Sequence, residues 1–198
     1  MLIFWEKDLV FLANPKAGST AIEAALEPLA NLAVQRPPEL KHANLSSYRQ
    51  YVAPWLASAG RKQPTTIAVM REPVDWLRSW YRFRIRDDVD DPEHEMTGVS
   101  FTEFVKAYMA EDSQLRRSIG NQSGFLTNDG QQVDRIFRYE DMDNLTHFME
   151  ERLDCALHLP RVNVPPSVDV ALEPALEGQL REFLNDDVKL YASLGVAP

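Results

Sequence analysis

Apolar and polar positions change period several times along the chain, and each change marks an element. Two short apolar runs, residues 3–5 and 9–13, flank Glu6-Lys7-Asp8 and read as a small hairpin or two strand pieces. Asn14-Pro15-Lys16-Ala17-Gly18 breaks the second run. Ser19 and Thr20 suit a helix start, and helical spacing continues from residue 20 to about 32. Arg36-Pro37-Pro38 closes that stretch, and a second helical pattern runs from 46 to about 59. Residues 65–70 form an uncharged run of buried-strand type. Pro73 then stands at the first turn of a helix expected to reach about residue 86. Residues 87–98 read as an acidic loop. Helical spacing returns at 101–109, a strand pattern at 134–139 and a helix at 142–153. Residues 158–168 hold three prolines and read as irregular, and helices at 173–184 and 187–194 close the chain.

Strands alternating with helices predict an α/β fold, a single P-loop-like domain over residues 1–198 with a central parallel β-sheet flanked by helices. In such sheets ligands bind beyond the carboxyl ends of the strands. That places three segments at one rim: residues 15–20, 71–73 and 139–141.

Composition narrows the partners. The 198 residues are 44% hydrophobic and 26% charged, ordinary for a globular chain and a suitable length for one domain. The net charge of −9 disfavours nucleic acid as a partner, because phosphate backbones call for a basic surface. It leaves room for a local basic pocket that takes one small anion. No apolar run approaches the ~20 residues that span a bilayer, so no membrane partner is expected. The start has no basic n-region, so no secretory leader is expected. The single Cys155 precludes an intrachain disulfide and fits a reducing cytoplasm.

Two short motifs carry chemistry. A strand, a turn containing Lys16 and Gly18, and Ser19-Thr20 opening a helix form anion-binding architecture. Backbone N–H groups at a helix start point outward, and the helix dipole adds partial positive charge. The nucleoside-triphosphate loop G-x-x-x-x-G-K-[ST] is not matched: Ala13 stands where its first glycine belongs, and Ser19 rather than lysine follows Gly18. The second motif places Arg71 at a strand end and Ser79 eight residues on, along the next helix. Arg71 can grip a phosphate bidentately and Ser79 can add a hydroxyl donor.

The pair Pro15-Lys16-Ala17-Gly18-Ser19-Thr20 and Arg71-Glu72-Pro73-Val74-Asp75-Trp76-Leu77-Arg78-Ser79-Trp80-Tyr81 resembles the sulfotransferases that use 3′-phosphoadenosine 5′-phosphosulfate. Weaker likenesses to the carbohydrate-type branch lie in Lys41-His42-Ala43-Asn44, Asn121-Gln122-Ser123, Arg138-Tyr139-Glu140-Asp141 and Leu159-Pro160-Arg161-Val162-Asn163. The resemblance implies that Pro15, Lys16, Ala17, Gly18, Ser19 and Thr20 hold the 5′-phosphosulfate, and that Arg71 and Ser79 hold the 3′-phosphate. Ala21 stands where many cytosolic members carry tryptophan, so adenine stacking is expected from another residue. The implied reaction is transfer of a sulfuryl group to an acceptor hydroxyl, of a small molecule or a carbohydrate, with no metal.

Such a reaction is an in-line displacement, so positioning and charge do most of the work. Lys16 is the candidate to neutralise the leaving phosphate. His42 is the first candidate for the base, because the resemblance carries an acceptor-side histidine there and its pKa range suits proton abstraction. His94 in the acidic loop and Glu140 are the alternatives; His147 and His158 read as structural. Asp75, Ser79, Arg82 and Arg86 share a helical face that extends the positive field or is simply solvated. Trp76, Trp80 and Phe83 read as core, and Asn163 as closing the nucleotide pocket or steadying its loop. Two other functions fit parts of the pattern: a non-catalytic nucleotide-binding module, and a small kinase-like phosphoryl transferase.

Overall fold

The computed structural model describes residues 1–60, 63–85, 96, 98–160 and 168–195. Arg86, His94 and most of the acidic loop lie outside them, as does Asn163. The chain divides into two compact units. One comprises Met1–Arg71 and the stretch from Gln122 through the helix that ends at Leu153; the other comprises Glu72–Asn121 and the two C-terminal helices.

The first unit is α/β. Strands β1 (Leu2–Phe4) and β2 (Leu9–Leu12) are antiparallel, joined by one 3₁₀ turn and by Asp8 in the left-handed region. Helix α1 (Ser19–Leu26) then gives way to a 3₁₀ turn, Glu27–Leu29. The spacing predicts helix to about residue 32, but Pro28 lacks the N–H that would continue the ladder, and the chain leaves early. Leu32–Ala33 becomes β3, which pairs antiparallel with β1. After α2 (Pro38–Lys41), α3 (Leu45–Ser47) and α4 (Ala53–Ser58) form one run with a π-helical stretch, Tyr48–Val52, between them. The π stretch lies just before Pro54, which cannot supply a helical donor.

Strand β4 (Thr65–Met70) pairs parallel with β2. The sheet is completed farther along the chain. Short helix α8 is Gln122–Leu126, and β5 (Thr127–Asn128) and β6 (Gln131–Gln132) form a small hairpin over Asp129-Gly130, both left-handed as that turn requires. Strand β7 (Arg135–Arg138) then adds parallel to β4, and α9 (Met142–Leu153) follows.

The sheet order is β3-β1-β2-β4-β7. It is mixed, with the expected parallel strands at β2-β4-β7 and antiparallel β1 and β3 beside them: β1 reaches β2 through a tight turn, the small hairpin of the sequence reading, and only antiparallel neighbours can be joined that way. The β2-β4-β7 side of the sheet is parallel. Every residue of β1 and β2 is buried, as is β4 after its first residue, the mark of strands covered on both faces. Leu2, Phe4, Leu9, Phe11, Ile67 and Val69 build one face of the core with Ile22 and Leu26 of α1 and Leu145 and Met149 of α9. Among the described residues no helix is long and apolar enough to cross a membrane.

The second unit is helical: α5 (Pro73–Arg84), α6 (Phe101–Met109), α7 (Gln114–Ile119), α10 (Pro174–Phe183) and α11 (Asn185–Ser193). The Glu72 carboxylate caps α5 by accepting from the Asp75 amide, and Ser100 with Glu103 forms a full capping box on α6. Val74, Trp76, Leu77, Tyr81, Phe104, Val105 and Leu180 fill its core. Trp76 is core, as its spacing predicts, while Trp80 and Phe83 are half-buried in an edge-to-face series that runs from Trp76.

Leu145 anchors α9 on the sheet and is 1% exposed. Replacing it with alanine is expected to cost about 2–5 kcal/mol. Urea unfolding monitored by circular dichroism reads this as a lower midpoint with an unchanged slope.

Candidate functional site

Because β2, β4 and β7 are parallel neighbours, their carboxyl ends open on one rim. Leu12 stands opposite Ala68, and Met70 opposite Arg138. The chain leaves that rim through residues 13–18, Arg71 and Tyr139.

The exit of β2 is tied down first. Asn14, 2% exposed, donates from Nδ2 to the Val69 carbonyl of β4 (2.9 Å) and to Oε1 of Gln122 (3.2 Å). Gln122 is fully buried, and its carboxamide pairs with both backbone groups of Arg71. Oε1 accepts from the Arg71 amide at 2.9 Å, and Nε2 donates to the Arg71 carbonyl at 2.7 Å. Gln122 thus does for Arg71 what a neighbouring strand would do, beyond the last pair of the ladder.

The loop itself takes an anion-suited shape. Lys16 and Gly18 both have positive φ, 59° and 78°, with Ala17 of ordinary φ between them. Alternating handedness of this kind turns successive N–H groups toward one concave side. Gly18 is also the N-cap of α1, so no side chain caps the helix there. The first intrahelical bonds run from the Ala21 and Ile22 amides to the Gly18 carbonyl, which leaves the Ser19 and Thr20 amides outside the ladder. Ala17 is 1% exposed and belongs to the core, so it can offer only its backbone to a ligand. Pro15 and Lys16 are half-buried, Ser19 is buried and Thr20 is exposed.

Arg71 stands at this rim as a cation against an aromatic ring. Its Cζ lies 4.5 Å from the centroid of the Tyr139 ring. Its Nε is buried without a hydrogen-bond partner. Among the described residues no carboxylate pairs with it, although the chain carries nine more negative than positive charges. A guanidinium kept in this state is suited to an anion that comes from outside. Tyr139 touches the other side of the site as well: a Cβ on residue 18 would lie 2.9 Å from its Cε2.

His42 caps the C-terminus of α2, and its Nδ1 lies 2.6 Å from the Ala13 carbonyl at the foot of the loop. A carbonyl only accepts, so Nδ1 carries the proton and the neutral ring has its lone pair on Nε2. Burial lowers the His42 pKa below its usual value, the Ala13 bond opposing this in part, so the neutral form prevails near pH 7. Lys41 beside it pairs with buried Glu23 of α1 at 2.9 Å. His147 and His158 are exposed, as is Glu140.

Comparison of the chain with protein-family models, with curated proteins and with solved structures finds no match. The site is therefore read from its own geometry. Within the first unit His42 bonds Ala13 at the foot of the loop, and Tyr139 lies against both Gly18 and Arg71, so residues 15–20, Arg71 and His42 are linked through shared neighbours. Ser79 stands half-buried on α5 in the second unit, where Arg78 is engaged by Asp75 at 2.9 Å and Glu177 at 3.3 Å. Sequence reasoning missed the parts played by Asn14, Gln122 and Tyr139. Tyr139 was legible as a rim residue. Nothing in the polar run Asn121-Gln122-Ser123 signals that its middle member is buried.

His42 makes stability depend on pH. Its folded pKa is lowered, so the unfolded chain binds the extra proton first. Its contribution is fully present above the unfolded value of about 6.5 and is lost as pH falls from there toward the folded value. Melting temperatures measured between pH 8 and pH 5 should fall through that window, and His42→Gln should flatten the fall.

Proposed function

We propose that this chain is a sulfotransferase that moves the sulfuryl group of 3′-phosphoadenosine 5′-phosphosulfate to an acceptor hydroxyl of a small molecule or carbohydrate. The observation that carries this reading is Arg71, a guanidinium with no carboxylate partner among the described residues, at the same rim as a Lys-Ala-Gly loop, left-handed at Lys16 and Gly18, that opens α1. On this reading β2, the loop and α1 are a P-loop-like phosphate cradle that differs from the nucleoside-triphosphate pattern. The Lys16 charge and the amides from Gly18 to Thr20 face the 5′-phosphosulfate, and Arg71 faces the 3′-phosphate.

The acceptor oxygen attacks sulfur as its proton passes to Nε2 of His42. The bond between sulfur and the bridging oxygen breaks, and its electron pair stays on the 5′-phosphate, where Lys16 meets the growing charge. The bond from Nδ1 to Ala13 orients the ring and stabilises the imidazolium that forms. Burial of His42 favours the neutral form, the form a base must have at the start.

Adenosine 3′,5′-bisphosphate should raise the melting temperature without magnesium, since a ligand that binds only the folded chain stabilises it by mass action. Arg71→Ala should weaken that binding by about 1.5–3 kcal/mol, the range for a hydrogen bond to a charged group. Adenosine 5′-phosphosulfate, which lacks the 3′-phosphate, should be much less affected. Stabilisation by magnesium ATP and not by the bisphosphate would turn the reading toward a phosphoryl transferase.

His42→Ala should bind the bisphosphate almost as wild type does yet lose about 10²-fold or more in transfer rate, measured with labelled donor on a panel of sugars and phenols. Wild-type turnover in this variant would move the base to Glu140 or His94. A chain that binds the bisphosphate and transfers to no acceptor would be a nucleotide-binding module.

A further inference from the structure

Tyr139 touches both halves of the anion site, and neither contact is explained by the chemistry above. The edge of its ring occupies the space a side chain on residue 18 would need, with Cε2 2.9 Å and Cδ2 3.2 Å from a Cβ placed there. Its face carries the Arg71 guanidinium at 4.5 Å. The ring is half-buried and packs against the core of the first unit, so it is held from behind. One rigid ring therefore touches both the loop and the guanidinium.

We propose that Tyr139 is a positioning residue that sets the spacing between the loop and Arg71, so that the site selects ligands carrying two anionic groups at that spacing over ligands carrying one. The proposal rests on the reading of this site as a nucleotide bisphosphate site. Arginine has many rotamers, and an unpaired one on an open rim would sample most of them. Stacking on an aromatic face removes that freedom while leaving the N–H groups at the guanidinium edge for a ligand. The Arg71 backbone is already fixed by Gln122, so Tyr139 controls what remains, the direction of the side chain. The same ring sets the closest approach of Gly18. Removal of the ring frees the guanidinium and loses the spacing.

Calorimetric titration of the whole chain with adenosine 3′,5′-bisphosphate and with adenosine 5′-monophosphate tests this. In the wild type the bisphosphate should bind more tightly. Tyr139→Phe keeps the ring and should keep the affinity ratio within about twofold. Tyr139→Leu should reduce the ratio about tenfold, the scale of one partly desolvated cation–π contact, with monophosphate affinity nearly unchanged. Arg71→Ala should cost less bisphosphate affinity in the Tyr139→Leu background than in wild type. Should Tyr139→Leu fail to fold, Tyr139→Met provides the same comparison. A wild-type ratio in the ringless variant would overturn the proposal, as would an equal loss for both nucleotides, which would make the ring merely structural. A wild-type chain that binds neither nucleotide would overturn the functional reading and this inference with it, an outcome seen before any variant is made.

Discussion

Parallel pairing of β2, β4 and β7 is the constraint on which the site depends. Backbone hydrogen bonds in fixed register bring three chain exits, 59 and 68 residues apart at Leu12–Arg71 and Arg71–Tyr139, to one rim. The strands are short and almost wholly apolar where they meet, so a one-residue slip would turn core residues toward the wrong face. Register in the core therefore fixes the positions of polar groups that contribute nothing to the core themselves.

A cation held at such a rim without a counter-charge needs other support, above all in an acidic chain. Two devices supply it. Gln122 satisfies both backbone groups of Arg71, so the main chain there has no unmet hydrogen-bonding demand. The Tyr139 ring gives the guanidinium a weakly attractive surface that does not neutralise it. Asn14 links these to β2 by bonding both Gln122 and Val69, so the loop and the arginine share one network. Local stability and availability for an outside anion are thereby combined in the same few residues.

The sequence makes strongly patterned elements plain and leaves context-dependent ones hidden. Thr65–Met70, Phe101–Met109 and Met142–Leu153 can be read to the residue, the first as an uncharged apolar run of strand length and the other two from their helical apolar spacing. The short β3, β5 and β6 escape such reading: they are two residues each and owe their form to a partner strand or a turn. The helix expected to about residue 32 ends at Leu26, because Pro28 lacks the backbone donor that apolar spacing alone takes for granted. In the candidate site, Lys16, Gly18 and Arg71 are candidates by residue type and position alone. Gln122 is not, since a buried glutamine and a solvated one are written alike, and only the fold reveals which backbone it completes.

The bond between His42 and Ala13 has a mechanical consequence. The imidazole hangs from the main chain at the point where the loop begins, 29 residues away in sequence. A small excursion of the loop at its root carries the ring with it. The gap between imidazole and loop then changes less than either position does, as in a caliper whose jaws are mounted on one bar.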